Sequence, residues 1–282
     1  MGYGGWVTVA NLVNPILVYS DRFMIGALFS VAEVGYYAAP FEAVTRLWLV
    51  PASLAATLFP AFSAMGIESN RGKVELLYSR AIKSLLLLLG PVVLILIAFA
   101  KDVLQIWLGA EFAAKSTSVL QILAVGVLAN SFAYIPFSLL QGLGRPDVVA
   151  KVFLVELPAY LAFAYVMIAR GGIAGAALAW TLRVSIEALV LMVLAWKVFS
   201  ISPRALVDGG LLRSLAAFAA LGMAMLPGQL IFWNAPWIRC ALSVFAVSIF
   251  VWAVWKYILD DTDRGPIAMM IRLFLPKTEK LR

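Results

Sequence analysis

The stretch VYSDRFMIGALFS, Val18 to Ser30, has the apolar weight of a membrane helix, yet it carries Asp21 and Arg22 side by side. A charge at the centre of a membrane helix costs about 2.5–3.5 kcal/mol on insertion scales, so such residues face the interior of a bundle and find partners there. Two adjacent charges therefore mark one face of this helix as the inside of something.

The rest of the chain supplies the context. Of 282 residues, 63% are hydrophobic and 13% charged, with a mean hydropathy of +0.97, against roughly half and a quarter for soluble domains. The apolar residues come in runs of about 20, the length that crosses a ~30 Å hydrocarbon core as a helix. Barrel strands would be half as long and would alternate. The expected fold is an all-α polytopic bundle of about eight transmembrane helices, over 5–30, 38–63, 84–100, 117–141, 150–169, 172–196, 213–233 and 238–258. A single Cys240 and no histidine leave no intrachain disulfide, no usual zinc site and no imidazole proton relay, so no cofactor is expected. The N-terminus has neither the basic region of a signal peptide nor a myristoylation signal. It starts almost inside the first span, which suggests that Met1 is not the start of the natural gene product.

Lysine and arginine alternate between loops as the positive-inside rule requires. One side collects fifteen of them, including Arg71, Lys73, Arg145, Lys151 and the basic tail, and the other only Lys101, Lys115, Arg170 and Arg239. That asymmetry places the C-terminus in the cytoplasm and explains the net charge of +7 without nucleic acid. Lys101 to Lys115 reads as an interfacial segment on the outer surface, with Trp107 and Phe112 dipping into the bilayer; Arg264 to Lys277 reads as a similar basic piece on the inner face.

Helical geometry shows where the polar residues point. Asn11, Asn14, Asp21 and Arg22 fall within one sector of about 100° on the first span. Glu42, Thr45, Arg46, Ser53 and Thr57 share a narrow sector on the second, and Asn130, Tyr134, Ser138 and Gln141 on the fourth. Three wet faces suggest a shared polar cavity. Glu42 with Arg46, and Arg183 with Glu187, stand at i, i+4 spacing and can neutralise each other on their own helix; Arg183 and Glu187 read as a structural ion pair. Arg22 and Arg46 read either as a phosphate-binding pair, since planar guanidinium forks suit phosphate oxygens, or as part of a structural network with Asp21 and Glu42. Prolines recur within the spans, and Pro51 and Pro136, lying on wet helices, are the better hinge candidates. No P-loop and no nucleophile with its base is present, so no enzyme is expected.

The block from Tyr19 to Ser63 resembles the polysaccharide flippases of the multidrug/oligosaccharidyl-lipid/polysaccharide exporter superfamily. The likeness rests on Asp21 and Arg22 leading into Ile25 and Gly26, on VGYY (Val34 to Tyr37), and on LFP (Leu58 to Pro60) followed by Ser63; LLQGLGRP (Leu139 to Pro146) and GGIAGAALAW (Gly171 to Trp180) extend it. The resemblance implies two lobes of six helices with extra helices at the C-terminus, and this chain resembles the second lobe onward, with a first lobe absent. Residues 1–200 would be the six-helix lobe, 201–260 two additional helices and 261–282 a basic cytoplasmic tail. The resemblance further implies a bacterial inner-membrane transporter that moves an undecaprenyl-diphosphate-linked oligosaccharide, such as an O-antigen or lipopolysaccharide precursor, from the cytoplasmic to the periplasmic leaflet by alternating access. Arg22 and Arg46 would attract the diphosphate, with Asp21 and Glu42 as coupling partners, membrane lipids around it, and a glycan polymerase and assembly proteins as partners. A cation-coupled drug or metabolite antiporter of the same superfamily is the first alternative; a membrane-embedded glycan polymerase or acyltransferase and a non-transporting scaffold are the others.

Overall fold

The computed structural model describes residues 2–65, 71–201, 210–232, 235–260 and 264, and among them every regular element is helical. In chain order these are α1 (Tyr3–Leu28), α2 (Val31–Thr45), a 3-10 turn (Arg46–Trp48), α3 (Leu49–Met65), α4 (Arg71–Ala98), α5 (Ala100–Leu108), α6 (Ala110–Gly142), α7 (Pro146–Phe199), α8 (Leu211–Ile231) and α9 (Pro236–Ala253), which ends in a π-turn (Val254–Ile258).

Six helical stretches among the described residues are long and apolar enough to cross a membrane: Val31–Met65, Arg71–Ala98, Ala110–Gly142, Pro146–Phe199, Leu211–Ile231 and Pro236–Ile258. Two further crossings follow from their details. α7 runs for 54 residues but breaks at Gly172, whose φ of 56° and ψ of −140° only glycine adopts readily. The chain folds back there, since Arg183 on the second limb reaches Glu156 on the first at 3.3 Å. A side chain at Gly175 would collide with the Met167 carbonyl, which is how closely the two limbs pass. α1, at 26 residues, is long enough to cross, and its asparagines and charges account for its lower hydropathy. The protein is thus a multi-pass, all-α membrane bundle.

Several boundaries differ from the sequence expectation for local reasons. The loop expected at Val31 to Tyr37 is helical, because Ser30 caps α2: its Oγ accepts from the Glu33 N–H at 3.2 Å, and Glu33 sits in the first turn. The connection shrinks to Phe29 and Ser30. The second span is two helices, because Pro51 has no N–H to offer the Leu47 carbonyl and the chain tightens to 3-10 geometry over Arg46–Trp48. The segment from Lys101 to Lys115 is not one interfacial piece. Gly109, at φ 92°, separates the short α5 from the first turns of α6. Trp107 is exposed as expected, but Phe112 turns inward and packs on Tyr36 with ring centroids 4.6 Å apart. Apart from Arg264, the segment expected along the inner face lies outside the described residues.

The helices fall into two compact units, Met1–Leu211 and Leu212–Arg282. In the first, α6 is the central element, packed against α2, α3, α4, α5 and α7, while α1 lies on α7 and α2. Close approach relies on small residues, as expected where lipid gives no hydrophobic drive between helices: Ala176, Ala177 and Ala179 are fully buried, and a Cβ at Gly126 would lie 2.6 Å from Trp180 and from Thr181. At the heart of the unit, buried Trp180 meets Phe41 edge-on at 5.2 Å and Trp48 at 6.3 Å.

The join between α6 and α7 is a complete helix stop. The Arg145 N–H reaches the Leu140 carbonyl at 2.8 Å and the Gly144 N–H reaches Gln141 at 3.1 Å, with Gly144 at φ 81°. This is a Schellman motif, and Pro146 then opens α7 at its first position. In the second unit, Arg239 is buried in the first turn of α9 and donates to Gln229 Oε1 at 3.2 Å.

Candidate transport cavity

Within the first unit, a cavity of about 150 Å³ is lined by Asn11 and Asn14 of α1, Asn130 and Tyr134 of α6, and Arg183 and Glu187 of α7, with Trp48, Phe137 and Phe153 among its apolar walls. The expected wet faces of α1 and α6 do meet. The third wall is not the expected one: α7 supplies it, and the 3-10 turn contributes only the indole of Trp48. The hydroxyls of the second-span stripe are satisfied on their own helix, Thr45 on the Phe41 carbonyl at 2.8 Å, Ser53 on Leu49 at 2.6 Å and Thr57 on Leu54 at 2.8 Å.

Asp21, Arg22, Glu42 and Arg46 do not line this cavity. Asp21 lies on the same helical line as Asn14, but seven residues and hence about 10 Å farther along the axis, beyond the cavity. It is fully buried and accepts hydrogen bonds from the Tyr37 hydroxyl and, at 2.8 Å, from the Arg22 N–H. Arg22 turns away from it. Its Nη2 donates to Glu42 Oε1 at 2.8 Å, and its guanidinium lies 4.8 Å from the Tyr19 ring centroid and 4.9 Å from that of Phe41. The expected bond between Glu42 and Arg46 is absent: Glu42 is taken by Arg22, and Arg46 begins the 3-10 turn that follows α2. Arg46 is exposed and has no ion-pair partner among the described residues.

The cation in the cavity wall is instead Arg183. Its Nη1 donates to Glu187 Oε2 and to Glu156 Oε1, each at 3.3 Å, and its guanidinium lies 5.1 Å from the Tyr160 ring centroid. The side chains of Arg183, Glu187 and Glu156 are only 5%, 8% and 15% exposed. The i, i+4 pair foreseen from sequence forms, but as part of a triad in which two carboxylates share one guanidinium. Glu156 is recognisable in the sequence as a charge at membrane depth. Its partnership is invisible there, because it depends on how the limbs of α7 face each other across Gly172. Arg183 Nε, Glu156 Oε2 and the Tyr160 hydroxyl are buried with no hydrogen-bond partner.

Arg183 and Glu187 also line a second, larger space. A groove of about 740 Å³ runs between the two limbs of α7, with Arg145, Asp147 and Lys151 at one end and mostly apolar walls beyond. The triad therefore stands as a partition, facing the small polar cavity on one side and the groove on the other. Among the described residues no group of three or more His, Cys, Asp or Glu is placed to hold a metal ion.

Comparison with known proteins places this architecture. Over 199 residues the chain is 33% identical to the "Putative O-antigen transporter" of Shigella flexneri, an alignment covering 71% of this chain and 47% of that protein. Over 188 residues it is 25% identical to a "Probable low-salt glycan biosynthesis flippase" of Haloferax volcanii, covering 67% of this chain and 40% of that protein. The chain thus spans less than half the length of these two relatives. No solved structure matches it. Residues 1–117 match the family described as polysaccharide biosynthesis protein. Through that region, about two fifths of its length, the chain is similar to members of that family.

Proposed function

We propose that the protein is part of a flippase that moves an undecaprenyl-diphosphate-linked oligosaccharide from the cytoplasmic to the periplasmic leaflet of a bacterial inner membrane by alternating access, with its C-terminus cytoplasmic. The observation that carries this reading is a polar cavity with a guanidinium in its wall, enclosed by helices of membrane-crossing length. The relatives named as an O-antigen transporter and a glycan flippase support the substrate class. In this reading Arg46, exposed, without an ion-pair partner among the described residues and outside the lining of the small cavity, makes a diphosphate contact before the substrate reaches Arg183 in the cavity wall. Arg22, already held by Glu42, orders the neighbouring wall, and Asp21 and Glu42 are the coupling carboxylates. A glycan polymerase and assembly proteins are the partners that would take up the product. Replacing Arg46 by Ala in the full gene product is expected to reduce surface glycan at least ten-fold, a barrier change of about 1.4 kcal/mol; undiminished glycan would remove Arg46 from the diphosphate site.

One observation favours a second reading, a cation-coupled antiporter of the same superfamily. Glu156 and Glu187 place two carboxylates on one guanidinium beside the cavity, which leaves a negative charge for a cation to meet. Drug sensitivity of a deletion strain, with surface glycan unchanged, would select that reading over the first.

A further inference from the structure

The groove between the limbs of α7 has a composition that neither reading uses. Apart from the triad of Glu156, Arg183 and Glu187, its walls are apolar, built from side chains such as Val152, Val155, Phe163, Ile186, Val190 and Leu194. Several are well exposed, Val155 at 73% and Ile186 at 60%, so the groove opens away from the core of the bundle.

One end is charged in a definite sense. Asp147 accepts from Arg145 Nε at 3.0 Å and from Lys151 Nζ at 2.9 Å, so two cations share one carboxylate and one positive charge is left over. Arg145 is fixed by the Schellman stop at the head of α7, and Lys151 lies 5.3 Å from the Trp6 ring centroid at the start of α1. This is the end at which the basic loops of the chain gather.

Length fits as well. From Lys151 to Phe163 the first limb rises about 18 Å at 1.5 Å per residue, and one leaflet of a ~30 Å hydrocarbon core is about 15 Å deep. A mainly apolar channel one leaflet long, with the ion-paired Glu156, Arg183 and Glu187 set into its wall, a net positive mouth at the headgroup level and a buried, unpartnered Tyr160 hydroxyl in its floor, has the features of a site for a chain with an anionic head. A volume of about 740 Å³ lies within the usual range for a site that encloses a small molecule.

We propose that this groove is a binding site for an anionic phospholipid of the cytoplasmic leaflet, with its phosphate on Arg145 and Lys151 and an acyl chain laid between the two limbs of α7. The lipid is a resident of the protein and not its cargo, so the inference stands apart from either transport reading. Its position against Arg183 and Glu187 gives the bound chain a direct contact with the wall of the polar cavity.

The test is native mass spectrometry of the full chain released from nanodiscs that contain phosphatidylglycerol and phosphatidylcholine at equal mole fraction. The wild-type protein is expected to retain phosphatidylglycerol in preference. Arg145→Gln with Lys151→Gln, both at exposed positions, is expected to lower that preference by about five-fold per charge, the usual attraction of one basic side chain to anionic lipid. Asp147→Asn, which frees both cations, is expected to raise it. Ile186→Trp, which fills the groove, is expected to remove both lipids. Equal retention of the two lipids by wild type, a preference that survives the double substitution, or one that falls in Asp147→Asn would each overturn the proposal. So would displacement of the adduct by stoichiometric polyprenyl diphosphate, which would make the groove a cargo site.

Discussion

Arg183 is buried in the interior of the first unit. Two carboxylates depend on one of its nitrogens. Removing one partner of a buried ion pair typically costs about 3–5 kcal/mol, because the other charge is left uncompensated. Arg183→Met is therefore expected to lower stability by about that amount, measured as a shift of the thermal melt in detergent. Adding Glu156→Gln and Glu187→Gln to the same chain should recover most of the loss. At the surface, the hydrogen bonds from Arg145 and Lys151 hold the Asp147 carboxyl down to about 2 from its ordinary 3.8. A carboxyl depressed in the folded state stabilises above its unfolded value and loses that contribution as pH falls through the folded value. The difference in melting temperature between wild type and Asp147→Asn should be constant above pH 5 and shrink toward zero as the pH approaches 2.

At the scale of elements, the fold hinges on where helices stop. Gly172 holds a backbone conformation essentially reserved for glycine, and a non-glycine residue there costs about 1–3 kcal/mol. Gly172→Ala should lower the melting temperature, whereas Gly171→Ala, with ordinary backbone angles and open space at its Cβ, should leave it nearly unchanged. The eight apolar stretches and the wet faces of α1 and α6 could be read from the sequence, because length and periodicity are local properties. So, in principle, could the start of α2, since Ser30 and Glu33 stand at the spacing of a capping box. The break after Thr45 was foreshadowed by Pro51, but a proline reports only a lost hydrogen bond and not which way the chain will turn. The partnership of Glu156 with Arg183 could not be read at all. It depends on the azimuth of two antiparallel limbs, which hydropathy does not encode. The α1 face misled for a related reason: a shared sector does not mean a shared depth, and Asp21 sits two turns away from the asparagines.

At the scale of the whole molecule, the distribution of basic residues makes a claim that needs no knowledge of the cargo. If the positive-inside asymmetry sets the orientation, Lys101 faces the outer side of the membrane and Lys73 the cytoplasm. With Cys240 replaced by Ser, a cysteine introduced at Lys101 is expected to react with a membrane-impermeant maleimide in intact cells, and one at Lys73 only after lysis. The reverse pattern would invert the topology, and with it the assignment of Arg145 and Lys151 to the cytoplasmic leaflet. The cavity also carries its own optical reporter. Trp48 lines it with an indole N–H that has no hydrogen-bond partner, 6.3 Å from the buried ring of Trp180. A molecule entering the cavity changes the polarity around the first indole and leaves the second in its dry setting. Occupancy should thus be visible as a spectral shift in the protein's intrinsic emission, without a label and in the lipid environment where it works.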